Sequence, residues 1–433
     1  MPEVTDDTPI HLTEVDIDLD VQEILLASSQ HDIPKLRRLL RTQSTLPDAA
    51  NVKDTESGFS PLHSAIAACE PDSDTEGAQN GANGAETSEL NPKGLDNETL
   101  KSAVETVKFL LQEGAIWNDL DKNNETPGCL ARRIGALELY GLIVDAGVRA
   151  ELLLNRLDAY EELSDEDDEE DEEKQENDEN QTETEAETNV NANIETETET
   201  ETVPELVDAT TTNPGVNNPQ YLESQLNIQN DRILDSDQNG VMMAWESDIM
   251  RKSAKALLPT PGLKVLNIGH GMGIVDGFFQ EQQPASHHII EAHDDVVAEM
   301  KRRGWDSKPG VVIHQGRWQD ILPGLVASGE MFDAIYYDTF AESYGDFREF
   351  FSEQVIGLLE QDGRWGFFNG MGADRQISYD VYQKVVEMDL FEAGFDVQWE
   401  EIVVPKLEGE WDGVRRAYWV VDDYRLPLCK FMD

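Results

Sequence analysis

The run "LKVLNIGHGMGIVDGFF", residues 263–279, decides the fold. Its first six residues are largely apolar and predict a buried strand, and the apolar spacing from Ile274 to Phe279 predicts a helix. Between them Gly269, Gly271 and Gly273 form a G-x-G-x-G turn. Glycines let a backbone bend sharply and approach a ligand closely. Such a turn is weak evidence alone, because many strand-to-helix connections contain one. Context strengthens it. Glu291 ends the next predicted strand, where an acidic side chain can accept both hydroxyls of a ribose.

Working outward, short β-rich runs alternate with helical patterns. Strands are predicted at 263–269, 287–292, 311–316, 332–339 and 363–369. Helices are predicted at 274–283, 294–303, 319–327, 346–360 and 378–393. Near-continuous apolar strands joined by helices imply a parallel sheet covered on both faces. Two further strands follow in "FDVQWEEIVV" (395–404) and "RRAYWVVDDY" (415–424), with no helix between them. This α/β pattern resembles the class I (Rossmann-like) methyltransferases, and the resemblance implies S-adenosylmethionine as cofactor. NAD would satisfy many of the same elements. Against NAD, the first loop is not G-x-G-x-x-G, since Gly273 is followed by Ile274, Val275 and Asp276.

The chain has 433 residues, 89 acidic and 33 basic, for a net charge of −56. Acidic residues are densest from Glu161 to Glu201, where Lys174 is the one basic residue. Like charges at this density resist compaction, so 161–215 is expected to be a disordered linker between an N-terminal region, 1–160, and a catalytic domain, 216–433. The remainder is still acidic, which disfavours direct binding of nucleic acid or anionic lipid and favours basic partners. Cys69, Cys129 and Cys429 lie far apart, which fits a reducing compartment rather than a disulfide or zinc framework. The acidic N-terminus lacks the apolar segment of a secretory signal, and no apolar run is long enough for a membrane helix. A cytoplasmic and nuclear location is expected.

Ahead of the acidic stretch, "VQEILLASSQHDIPKLRRLLRT" (21–42) has helical periodicity broken at His31-Asp32. Ser60-Pro61-Leu62-His63 resembles the turn that opens an ankyrin repeat, and Glu125-Thr126-Pro127 opens a second unit less faithfully, with Gly128-Cys129 in place of Leu-His. Pro61 and Pro127 are 66 residues apart, against an ankyrin period of about 33. A polar insertion near 70–98 accounts for the excess. The expectation is an all-α, ankyrin-repeat-like region. His63 is expected to make local hydrogen bonds rather than to act as a ligand.

Two more segments narrow the family: "GVMMAWESDIMRKSAKAL" (240–257) and "YYDTFAESYGDF" (336–347). With "IGHGMG" they resemble guanidinoacetate methyltransferase, in which Met-x-x-Trp-Glu and Tyr-Asp-Thr segments frame cofactor and guanidine. Preceded by ankyrin-like repeats, the arrangement resembles the fungal type IV protein arginine methyltransferases, which modify the δ-nitrogen. The resemblance implies Glu246 and Asp338 as catalytic carboxylates. It implies a cofactor site of Tyr221, Met242, Met250, Gly269, His270, Gly271, Met272, Gly273, Ile274, Glu291, Ala292, His293, Gly316, Arg317 and Asp338. It also implies a protein substrate bearing arginine, suspected to be a basic ribosomal protein of the large subunit. No metal site is expected, because His287, His288 and His293 lack ligand spacing with a carboxylate set.

The chemistry agrees with the match. A guanidinium is protonated up to a pKa of about 12.5–13.8, and its lone pairs are delocalised. Carboxylates can grip it through charge-assisted bidentate bonds and offset its charge. Simpler readings stand beside these roles. Met242 and Met250, flanking Trp245-Glu246 on an expected helix, could be core filler, and Trp245 could be simple packing. His270 suits a structural role better than that of general base. The same catalytic motifs would serve a small guanidino metabolite. A non-catalytic ankyrin adaptor is a further alternative, opposed by the intact loop and carboxylates.

Overall fold

The computed structural model describes residues 14–42, 46–70, 97–175 and 218–432. By contact the chain divides into two units. The first comprises 1–149 together with 370–388 and 419–422, and the second comprises 150–369, 389–418 and 423–433.

The first unit is helical: α1 (Glu14–Ser29), α2 (Ile33–Arg41), α3 (Pro61–Ala67), α4 (Asn97–Gln112), α5 (Pro127–Arg133) and α6 (Leu137–Gln175), of which residues to 149 belong here. Its turns follow from local chemistry. Ser60 caps α3 in a reciprocal box with His63, and Thr126 caps α5 by accepting from the Cys129 N–H at 3.1 Å. Two residues before each cap the backbone turns left-handed, at Gly58 (φ 77°) and Asn124 (φ 60°). His63 stacks its turn on the next, since Nε2 lies 3.1 Å from the Glu125 carbonyl while Nδ1 lies 2.9 Å from Ser60 Oγ. The polar insertion lies largely outside the described residues, as does most of the expected linker. The first fifteen residues of that linker continue α6.

Segment 370–388 completes this unit and includes most of helix α14 (Gln376–Glu392). A Cβ on Gly128 would fall 2.2 Å from Ile377 Cδ1, so a glycine stands where the repeat-like turn would carry leucine. One turn further along, Tyr140 donates to Asp380 and Lys384 reaches Asp145 at 3.0 Å. The sequence pattern had placed this helix with the sheet.

The second unit opens with α7 (Asn218–Glu223) and a three-stranded antiparallel sheet, β1 (Asn227–Ile228), β2 (Arg232–Leu234) and β3 (Gly240–Met243). A 3₁₀ turn, Ala244–Glu246, leads into α8 (Ser247–Leu257), so Met242 lies on a strand and only Met250 on the helix. Then come β4 (Lys264–Ile268), α9 (Ile274–Glu281), β5 (Ser286–Glu291), α10 (Asp294–Arg302), β6 (Val311–Gln315), α11 (Trp318–Ser328), β7 (Phe332–Tyr337), α12 (Tyr344–Glu349), α13 (Val355–Leu358), β8 (Leu359–Phe367), β9 (Phe395–Val403) and β10 (Asp423–Phe431). The large sheet has the order β6-β5-β4-β7-β8-β10-β9, parallel except for β10, which runs antiparallel to both neighbours.

Two strand expectations are corrected. Strand β8 starts at Leu359, because the polar Glu360-Gln361-Asp362 bulge out between the pairs Phe332↔Leu359 and Ala334↔Arg364. The last strand is 423–431, not 415–424. Pro427 sits inside it and pairs with Trp399, although proline lacks the N–H that an interior strand ordinarily donates.

The core explains the alternation. Four of the five residues of β4 are buried, and Met250, Ala254, Leu257, Val275 and Phe279 pack on one face of the sheet beside Val265 and Tyr336. Full burial of one such side chain contributes about 1.5–3 kcal/mol. A second aromatic cluster joins Tyr337, Phe347, Phe350, Trp365 and Phe395, with Tyr337 stacked on Phe350 at 4.5 Å. Among the described residues no helix is long and apolar enough to cross a membrane.

Candidate active site

The site lies at the carboxyl ends of the parallel strands, where open α/β sheets bind ligands. The turn after β4 holds three glycines at positive φ: Gly269 (89°), Gly271 (51°) and Gly273 (75°). A Cβ on Gly269 would meet the Asp338 carbonyl oxygen at 1.8 Å, so this glycine permits the close approach of β4 and β7. The Asp338 N–H donates to the Ile268 carbonyl at 2.9 Å and ties the same two strand ends together.

Glu291, at the end of β5, accepts from the backbone N–H groups of His270 (2.8 Å), Gly271 (3.3 Å) and His293 (2.8 Å). It thereby faces the glycine turn across the strand ends. His293 caps α10 and bonds the Tyr221 carbonyl through Nε2 at 3.2 Å. The Tyr221 ring packs between His293 (5.0 Å) and Phe340 (4.9 Å), bridging the loops after β5 and β7. Ala292 is part-buried between Glu291 and His293, Gly316 follows β6, and exposed Arg317 is the N-cap of α11.

The remaining loop residues divide by role. Met242 Sδ accepts from the Met272 N–H at 3.1 Å and would lie 2.6 Å from a Cβ on Gly271, so it touches the loop directly. Met250 is wholly buried in the core beneath. Ile274 opens α9. The His270 side chain turns inward to Asp276 (2.6 Å), whose other oxygen meets His287 (2.8 Å). Asn267 also donates to Asp276, at 2.9 Å. Despite complete burial, these partners hold Asp276 down at about 2, with His270 contributing most.

The two expected catalytic carboxylates lie near enough for the charge of Asp338 to act on Glu246. Glu246 is brought in by the turn between β3 and α8, and Asp338 by the end of β7. Burial drives the Glu246 carboxyl well above its ordinary range, and the neighbouring Asp338 pushes it further. Asp338 is pushed up to about 8, first by burial and then by Asp276 and Glu291. Without a cation the pair therefore favours neutral acids, and a bound cation would restore their charge. Glu342 anchors the loop that carries Asp338: it accepts from Trp318 Nε1 (2.9 Å), Thr339 Oγ1 (2.7 Å) and the Tyr337 hydroxyl, and Ala341 beside it adopts φ 61°.

Sequence reasoning missed Tyr418 and Trp411. The Tyr418 hydroxyl donates to Glu246, and its ring packs with Trp411 (4.9 Å) and Trp245 (6.3 Å). Assigning 415–424 to a strand concealed Tyr418; Gly409 and Gly413, both at positive φ and flanking Trp411, were the available sign of an irregular segment.

Strand order, glycine turn and facing acidic residue define a class I S-adenosylmethionine-dependent methyltransferase. The residues present fit that cofactor: three glycines at positive φ shape the turn after β4, and Glu291 places a carboxylate against that turn at the strand end. A family model described as guanidinoacetate N-methyltransferase matches residues 220–412. The chain is 67% identical to "Protein arginine N-methyltransferase 2" of Emericella nidulans, over 98% of this chain and 99% of that protein. It is 70% identical to the protein of that name from Aspergillus fumigatus (96% and 97%) and 46% identical to the one from Neurospora crassa (95% and 96%). The chain belongs to the fungal protein arginine N-methyltransferase 2 family.

Proposed function

We propose that the chain transfers a methyl group to the δ-nitrogen of arginine residues in a protein substrate. The observation that carries this reading is that Glu246 and Asp338, from two separate motifs, are both buried and near enough to interact, Asp338 being tied to the strand end that opens the glycine turn. When bound, the cofactor supplies a sulfonium methyl group. The protein's part is to hold the guanidinium. Glu246 and Asp338 grip its terminal nitrogens and leave Nδ toward the methyl group, as the nitrogen bearing the carbon substituent is presented in a guanidinoacetate-type pocket. Transfer would break the sulfonium S–CH3 bond as the Nδ–CH3 bond forms, leaving a neutral thioether, and Glu246 or Asp338 as a carboxylate could accept the displaced Nδ proton.

The helical unit, read as ankyrin-repeat-like from its capped turns and left-handed Gly58 and Asn124, would position the substrate. The net charge of −56 suits a basic protein, a ribosomal protein of the large subunit being the candidate, in the cytoplasm or nucleus. A small guanidino metabolite is the second reading, supported by the family model over 220–412. Mass spectrometry decides among these. Incubation of the purified chain with cofactor and an extract lacking the enzyme is expected to yield δ-monomethylarginine in protein. Product at a terminal nitrogen, or on free metabolites alone, would overturn the reading.

A further inference from the structure

The segment 409–418 ends in a tyrosine whose hydroxyl reaches Glu246, and the structure fixes that tyrosine from several sides. Arg232 donates to the Asp412 carbonyl at 2.9 Å. The Arg415 N–H donates to the Gln238 carbonyl at 2.9 Å, and its Nε donates to Asn239 Oδ1 at 3.0 Å. The segment is thus laced to the β2–β3 hairpin, the same hairpin that delivers Met242 and Glu246. Gly240, at the start of β3, leaves room for the ring: a Cβ there would lie 3.1 Å from Tyr418 Cε1. Trp411 and Trp245 pack on the ring, and Tyr418 is 8% exposed. Glu246 is itself buried, and no other side chain hydrogen-bonds it among the described residues.

We propose that Tyr418 is a positioning residue for the substrate-binding carboxylate, its hydroxyl orienting Glu246 toward the guanidinium while segment 409–418 holds the ring in place. The proposal rests on the arginine-methylation reading for its substrate, though the Tyr418–Glu246 bond stands apart from it. A buried carboxylate with one free rotor has several orientations available, of which only some can meet a planar guanidinium in bidentate fashion. A hydrogen bond from a ring that cannot move selects among them. The titratable groups bearing on Glu246 are Asp338 and the neutral Tyr418 phenol, beside a backbone hydrogen bond at Met243, and Asp338 in turn faces Asp276 and Glu291.

The test uses the full-length chain and the variants Tyr418→Phe and Gly240→Ala. Phenylalanine keeps the ring and deletes the hydroxyl; alanine at 240 displaces the ring without touching either bonding atom. Cofactor affinity by calorimetry should stay within about twofold of the native value. Catalytic efficiency on an arginine-bearing protein should fall about 10- to 100-fold in Tyr418→Phe, the range for losing a hydrogen bond to a charged group, and less in Gly240→Ala. Because the tyrosine bond favours the ionised carboxylate, the acid limb of the kcat/KM profile should move to higher pH. Native-like efficiency and an unmoved limb in Tyr418→Phe would overturn the proposal. Difference infrared spectroscopy supplies an arm without turnover: the Glu246 carbonyl band, assigned by its loss in Glu246→Gln, should rise in frequency in Tyr418→Phe. A shifted band in a protein that methylates no arginine would refute the substrate reading alone, and an unshifted band would refute the role of Tyr418.

Discussion

Asp276 and His270 lie 2.6 Å apart, both buried, directly beneath the glycine turn. The pair fixes the one non-glycine side chain between Gly269 and Gly271, and with it the path of the loop. His270 also packs against Trp305 at 5.0 Å, so the loop is held from below by a buried hydrogen bond and an aromatic edge.

Asp276→Ala should therefore be clearly destabilising, because it leaves the buried polar groups of His270, His287 and Asn267 without their shared partner, at about 1–3 kcal/mol for each group left unsatisfied. The sign with pH follows from the depressed carboxyl. Its folded-state value is about 2, below the unfolded value of about 3.9, so its stabilisation is present above pH 4 and is lost as pH falls toward 2. The difference in melting temperature between native protein and variant should accordingly shrink across that window.

Gly271→Val tests the cofactor site. The residue sits at φ 51°, and its Cβ would fall 2.6 Å from Met242 Sδ, the flexible end of a side chain that can move aside. The fold should survive while calorimetry detects no cofactor binding. Gly269 is a poorer test, because its Cβ would strike backbone at 1.8 Å.

Asp338→Asn separates stability from catalysis. A carboxyl raised to about 8 contributes stability that is full below its unfolded value, near 3.9, and is lost as pH rises through 8. Without substrate the variant should thus melt higher than native protein at pH 8 to 9. Turnover should fall by about 10²–10³, as for removal of a strong transition-state contact. Lower stability at pH 9 together with full activity would remove Asp338 from the mechanism.

Glu342→Ala would leave the donors of Trp318, Tyr337 and Thr339 without their shared acceptor. Each unsatisfied buried donor costs about 1–3 kcal/mol, so thermal melts should show a clear loss. Glu342→Gln restores an acceptor and should recover most of it. In both variants the KM for the arginine substrate should rise more than the cofactor Kd, because the loop they loosen carries Asp338.

The parallel half of the sheet was legible in the sequence because β4 and β7 are buried on both faces and read as near-continuous apolar runs. The glycine turn and Glu291 were legible through spacing. Legibility failed where a rule of local chemistry was broken. Pro427 argues against a strand, yet β10 includes it. The strands β1 and β2 have only two and three residues, too few to show alternation. Tyr418 lies 172 positions from Glu246, and no local pattern announces a contact made over that separation. The second repeat-like turn looked less faithful because Gly128-Cys129 replace Leu-His, and the reason for Gly128, the nearby Ile377, lies too far along the chain for a local pattern to show.

Segment 370–388 belongs to the helical unit, although it is encoded well beyond the acidic stretch. A protease that cut only between residues 176 and 217 would therefore sever the backbone without separating the pieces. The amino-terminal fragment would keep Gly128 against Ile377 and Tyr140 on Asp380, and the two fragments should travel as one particle in gel filtration. Expressed as separate polypeptides, 1–175 and 218–433 should reassemble by the same contacts. A carboxy-terminal fragment made alone would instead expose Ile377 and Val381 and be prone to self-association.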